Sequence, residues 1–116
     1  MTDFLHRLKL RCIWSWAGWL DSWRTEHSFR SWIWANLASA ALAFTLPLSP
    51  GERALILSLG ILVLAMELMN SAIERVVDYI SLDQHELAKQ AKDAGSAAVA
   101  VTAIAAGVAW VVVLWG

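Results

Sequence analysis

Between Pro50 and Ile80 an apolar run turns, with no break in helical period, into a stripe of acids and amides. Ala54 to Met66 contains nothing more polar than Ser58, and Glu67, Asn70, Ser71, Glu74 and Asp78 follow it. At about 100° per residue those five positions share one helix face roughly 100° wide. Ser49, Pro50 and Glu52 fit the N-cap, first and third positions of a capping box, so the helix is expected to open at Pro50. Run to residue 80, it is about 45 Å long and exceeds a hydrocarbon core of about 30 Å. Its apolar half then lies in lipid and its last turns reach water.

The other periodicities predict three more helices. Leu5, Leu8, Cys12, Trp16, Trp19 and Trp23 recur at helical spacing over residues 3–27. Arg7, Arg11, Trp14, Gly18 and Asp21 take the opposite side, a pattern that suits an amphipathic helix lying in a membrane interface. Residues 29–46 form a first span, with Trp32 and Trp34 placed for an aromatic belt. Residues 50–80 form the second, with a cytoplasmic extension. Ser81 to Asp83 interrupt the pattern, and Asp83 with Glu86 makes a second cap-like pair opening the third span, residues 84–115. From Ala94 to Gly116 there is no charge, and small residues dominate the first half, allowing close helix approach. The expected fold is all-α: one integral membrane domain over residues 1–116, three transmembrane helices preceded by an N-terminal amphipathic interfacial helix.

Composition strengthens the membrane reading, since 59% of residues are hydrophobic and only 16% charged, well outside the range of soluble domains. A net charge of −1 gives no argument for a nucleic-acid partner. The basic residues are uneven: Arg7, Lys9, Arg11, Arg24 and Arg30 all precede residue 31, which places the N-terminus in the cytoplasm. The loop near residues 81–87 is then cytoplasmic as well, and the loop at 47–53 and the C-terminus are outside. The single cysteine, Cys12, has no partner for a disulfide and reads as a packing residue. A cleaved signal peptide fits poorly, because the first apolar run begins only after thirty residues and two more follow.

An acid at membrane depth costs about 2.5–3.5 kcal/mol on insertion scales, so the stripe needs a partner, a cation or a task. Glu74 and Asp78, one turn apart, suit a hard divalent ion, which takes one or two carboxylates together with substrate phosphates and waters. Lys92 could hold a polyphosphate, and Trp14 could stack on a base or sit in the interface. Glu67, in the drier part, could act as general base towards a hydroxyl. Together these describe phosphoryl transfer from a magnesium nucleotide to a lipid hydroxyl. The same residues equally suit polar contact between helices, or an ion or proton path. No glycine-rich phosphate loop is present, which excludes the soluble kinase and P-loop folds.

The run from Glu67 to Asp78, followed by His85-Glu86-Leu87 and by Ala91 to Val99, closely resembles the signature of the prokaryotic diacylglycerol kinase family. Glu26-His27-Ser28-Phe29-Arg30 is similar to its Glu-x-x-Phe-Arg motif. The resemblance implies a homotrimer in the bacterial inner membrane, with composite sites between protomers, that uses magnesium ATP to phosphorylate diacylglycerol to phosphatidate. By position it makes Glu67 the catalytic base and Asn70 the group that orients the reactants. Glu26 and Glu74 would hold Mg2+ beside the nucleotide. Lys92 with Asp93 would engage its phosphates and ribose, and Arg7, Trp14, Asp83, Gln84 and His85 would complete the ATP site. Arg30 and Ser96, with Glu67, fall where the lipid substrate is expected. Trp14 stands where the family commonly has tyrosine and Leu20 where a basic residue is usual. The nearest alternatives are an undecaprenol kinase of the same fold and a non-enzymatic membrane protein whose stripe packs helices. Asp78 also reads as a solvated acid, His85 as an exposed loop residue and Arg75 as a snorkelling surface residue.

Overall fold

The computed structural model describes all residues, Met1–Gly116, as four helices without a strand. They are α1 (Thr2–Thr25), α2 (His27–Thr45), α3 (Pro50–Ile80) and α4 (Glu86–Trp115). Only Glu26, extended at φ −119 and ψ 113, separates α1 from α2. The elbow is fixed by its neighbours. Arg30 Nη1 donates to the Trp23 and Arg24 carbonyls at 3.2 and 3.5 Å, satisfying acceptors that the end of α1 leaves open. Behind it the fully buried Phe29 ring meets Trp19 edge-on at 4.9 Å.

The capping box at Ser49 forms in full. Glu52 N donates to Ser49 Oγ at 3.2 Å, and Ser49 N donates to Glu52 Oε1 at 2.8 Å, with Pro50 supplying the first helical residue. The start of α4 is organised differently from the Asp83–Glu86 pairing expected above. His85 is the N-cap, its Nδ1 accepting from Leu87 N at 3.0 Å, while Asp83 N is taken up by Ser81 Oγ in the preceding turn.

α3 is the central element, its backbone closely approached by α4, by α2 and, less extensively, by α1. At the end of the bundle formed by the α2–α3 loop, Ala43, Ile56 and Ala109 make a small core closed by Leu48, Leu57, Leu59, Trp110 and Val113. Arg53 ties that loop down, with Nε donating to the Ala43 carbonyl at 2.8 Å and Nη2 to Leu48 at 3.2 Å. Polar pairs set the register of the helices. Asn36 Nδ2 donates to the Gly60 carbonyl at 2.9 Å, and Trp110 Nε1 to Ser39 Oγ at 2.9 Å. Gly60 is required by the first contact, since a Cβ there would collide with the Asn36 side chain.

α3 and α4 are long and apolar enough to cross a membrane. α2 is shorter, 19 residues, and carries Arg30 in its first turns. Just 11 of 116 residues are buried, so most of the apolar surface of this chain, including Val101, Ile104, Val108 and Val112 along α4, faces outward and calls for lipid or protein around it.

Candidate active site on the acidic face of α3

All three buried polar residues of α3, Glu67, Asn70 and Ser71, belong to the stripe. A buried carboxylate needs a hydrogen bond or a charge to offset desolvation, and Glu67, 5% exposed, finds one across the fold: Ser28 Oγ in the first turn of α2 donates to its Oε1 at 2.8 Å. One turn on, Ser71 Oγ lies 2.6 Å from Glu26 Oε2 and 3.0 Å from the Glu67 carbonyl. Arg75 Nη2 reaches the other Glu26 oxygen at 3.4 Å, half exposed, so Arg75 is a partner of the elbow as well as a surface residue. The elbow therefore grips α3 at two successive turns, through Ser28 and through Glu26.

Asn70 faces α4. Its Nδ2 donates to Glu74 Oε1 at 3.3 Å, whereas its Oδ1 is buried without a partner. Gly95 makes the space for that oxygen, since a Cβ at position 95 would lie 2.5 Å from it. Towards the end of α3 the stripe becomes exposed, and Asp78 Oδ1 accepts from Lys92 Nζ at 2.7 Å. Here α3, the turn and α4 enclose an open polar cleft of about 620 Å³, lined by Asp78, Asp83, Gln84, His85, Lys92 and Asp93 among others. Asp93 pairs with Lys89 at 2.8 Å.

One chain thus gathers the expected residues into two connected groups. Glu26, Glu67, Asn70 and Glu74 form the inner group; Asp83, Gln84, His85, Lys92 and Asp93 line the cleft beyond Asp78. The others stand apart. Arg7 and Trp14 are exposed on α1, whose backbone makes no close approach to α4. The Arg30 guanidinium is turned to the end of α1, and Ser96 is exposed on α4 beside the buried Gly95. No cluster of three or more His, Cys, Asp and Glu exists, so the chain holds no all-protein metal cage. Glu26 and Glu74 are hard oxygen donors, and the unpartnered Asn70 Oδ1 is a third beside Glu74. Hard oxygen donors of this kind suit a magnesium ion that is completed by substrate phosphates and water.

Helical period could not reveal Ser28 or Arg75, whose contacts cross 39 and 49 residues of sequence. The one local signal for Ser28 is its place between the Glu and the Phe of the Glu26–Arg30 segment.

A buried carboxylate, Glu67, on a long apolar helix that ends at a polar cleft defines an α-helical membrane protein with a site near the edge of its apolar region. Residues 13–114 match the family described as prokaryotic diacylglycerol kinase, and the chain belongs to that family. It is 45% identical over 100 residues to a diacylglycerol kinase of Pseudomonas aeruginosa, covering 86% of this chain and 81% of the relative. It is 42% identical over 101 residues to the diacylglycerol kinase of Escherichia coli, covering 87% and 83%. An undecaprenol kinase of Bacillus subtilis is 41% identical over 81 residues, covering 70% and 66%.

Proposed function

We propose that this protein is an ATP-dependent diacylglycerol kinase that makes phosphatidate at the cytoplasmic boundary of the bacterial inner membrane. The observation that carries this reading is Glu67: a buried carboxylate on an apolar helix, with Oε1 held by Ser28 and Oε2 left for a substrate proton. The stripe then descends over about 16 Å from Glu67 to Asp78 and the Lys92 cleft. A lipid hydroxyl can approach one end and a nucleotide the other.

In the proposed reaction Glu67 accepts the proton of the diacylglycerol hydroxyl as its oxygen bonds to the γ-phosphorus of ATP. The bond from that phosphorus to the β–γ bridging oxygen breaks, and ADP leaves. Asn70, fixed by Glu74, orients the reacting groups with its free Oδ1. Glu26 and Glu74 hold Mg2+, which when bound neutralises phosphate charge. Lys92 exchanges Asp78 for the phosphates, Asp93 takes the ribose, and Asp83, Gln84 and His85 close the cleft around the nucleotide. Arg30 and Ser96 belong to the lipid side.

Arg7 and Trp14 serve the nucleotide from a neighbouring protomer. The separation of α1 from α4 within one chain supports this composite site, and the outward apolar faces support a homotrimer around it. In the membrane α2 makes the third crossing, α1 lies in the interface with the N-terminus cytoplasmic, and the charge asymmetry before residue 31 supports that orientation. Residues 1–116 act as one membrane domain.

Transfer of label from ATP to diacylglycerol and to undecaprenol, measured side by side in mixed micelles with magnesium, tests the reading. Transfer chiefly to diacylglycerol is expected. Transfer confined to undecaprenol would replace the acceptor, the alternative raised by the Bacillus subtilis relative, and transfer to neither would end the kinase reading.

A further inference from the structure

The hydroxyl of Ser28 is available to Glu67 because of where the helix begins. A helical serine or threonine ordinarily donates to the carbonyl one turn back, as Ser31 does to His27 at 3.1 Å and Thr102 to Ala98 at 2.7 Å. Ser28 is the second residue of α2, two positions after the extended Glu26, so the chain one turn back belongs to a different helix. The carbonyl four residues earlier, that of Arg24, is engaged by Arg30. The Ser28 proton is consequently spent on Glu67 Oε1, at 2.8 Å. Two residues earlier in the same elbow, Glu26 meets Ser71, whose hydroxyl also lies 3.0 Å from the Glu67 carbonyl. Both the side chain and the backbone of Glu67 are thereby referred to one short segment.

We propose that Ser28 is a positioning residue for the phosphoryl transfer: it fixes the carboxylate rotamer of Glu67 so that Oε2 meets the lipid hydroxyl. This rests on Glu67 being the base. A carboxylate hydrogen-bonded through one oxygen cannot rotate freely, and misplacing a reacting group by about 1 Å can cost about 100-fold in rate. Ser28 acts through Glu67, so its loss is read in turnover and not in binding.

The test compares Ser28→Ala, Ser28→Thr and Glu67→Gln in mixed micelles of the full protein. Ser28→Ala is expected to lower kcat by about tenfold or more, with KM for ATP and for diacylglycerol within about twofold of wild type. Ser28→Thr, which keeps the hydroxyl, is expected to recover most of that loss. Three outcomes overturn the assignment. If Glu67→Gln is inactive and Ser28→Ala is near normal, Ser28 has no positioning role and the base stands. If Ser28→Ala and Ser28→Thr are equally impaired, or both KM values rise together with loss of thermal stability, Ser28 is structural. If Glu67→Gln turns over normally, the base reading itself falls and takes this one with it.

Discussion

Asn70 is satisfied on one side only. Its amide nitrogen holds Glu74, and its oxygen is buried against Gly95 with nothing to accept from. An unpaired buried acceptor costs about 1–3 kcal/mol, a burden that a ligand supplying a cation or a donor would lift. Gly95→Ala would put a methyl group in the place of that oxygen and swing Asn70 away from Glu74. We expect kcat to fall by about tenfold or more, checked by steady-state kinetics with the assembled state monitored in detergent. If turnover survived, Asn70 would have no orienting role. At this scale the sequence was informative where contacts follow the helix: period alone placed Glu67, Asn70 and Ser71 on one face, and they are the buried polar residues of α3. It was silent on who meets them. Ser28 reaches Glu67, and Arg75 of α3 reaches Glu26, across a chain reversal that no local spacing records, and the free Asn70 oxygen depends on a glycine on another helix.

The elements were legible in proportion to their punctuation. α3 carries a complete capping signal and opens at Pro50 as expected, whereas α4 opens under His85, because Ser81 had already claimed the Asp83 amide. The boundary between α1 and α2 has neither proline nor glycine and turns on Glu26 alone; its cause is tertiary, with Glu26 drawn to Ser71 and Arg75. Helix register is likewise set by pairs that the apolar pattern hides. Gly60 and Asn36 form one, and Gly60→Ala forces the Asn36 side chain off the carbonyl it caps. Overpacking of this kind typically costs about 1–3 kcal/mol. The expected result is a lower thermal midpoint in detergent with KM for ATP unchanged, since the contact lies on the far side of Glu67 from the cleft. An unchanged midpoint would mean that α2 slides past α3 without penalty.

The molecule as a whole is less complete than its site. With 11 of 116 residues buried and no close backbone approach between α1 and α4, a single chain leaves most of its apolar surface uncovered and carries Arg7 and Trp14 on a different helix from the Lys92 cleft. The family resemblance implied composite sites between protomers, whereas the periodicities alone gave Arg7, Trp14 and Lys92 only their helices and not which of those helices are neighbours. If the sites are composite, mixing Arg7→Ala protomers with Lys92→Ala protomers before assembly should restore activity well above either variant alone, because some sites receive both native residues. No recovery would place each site within one chain. The central claim is that the stripe on α3 is a catalytic face and not helix glue, and Glu67→Gln tests it most directly, since it removes a proton acceptor while keeping shape and a hydrogen-bonding oxygen for Ser28. Phosphoryl transfer from ATP to diacylglycerol by this variant, with folding and assembly verified, should fall by at least about 100-fold. Near-normal turnover with the same assembly would contradict the account.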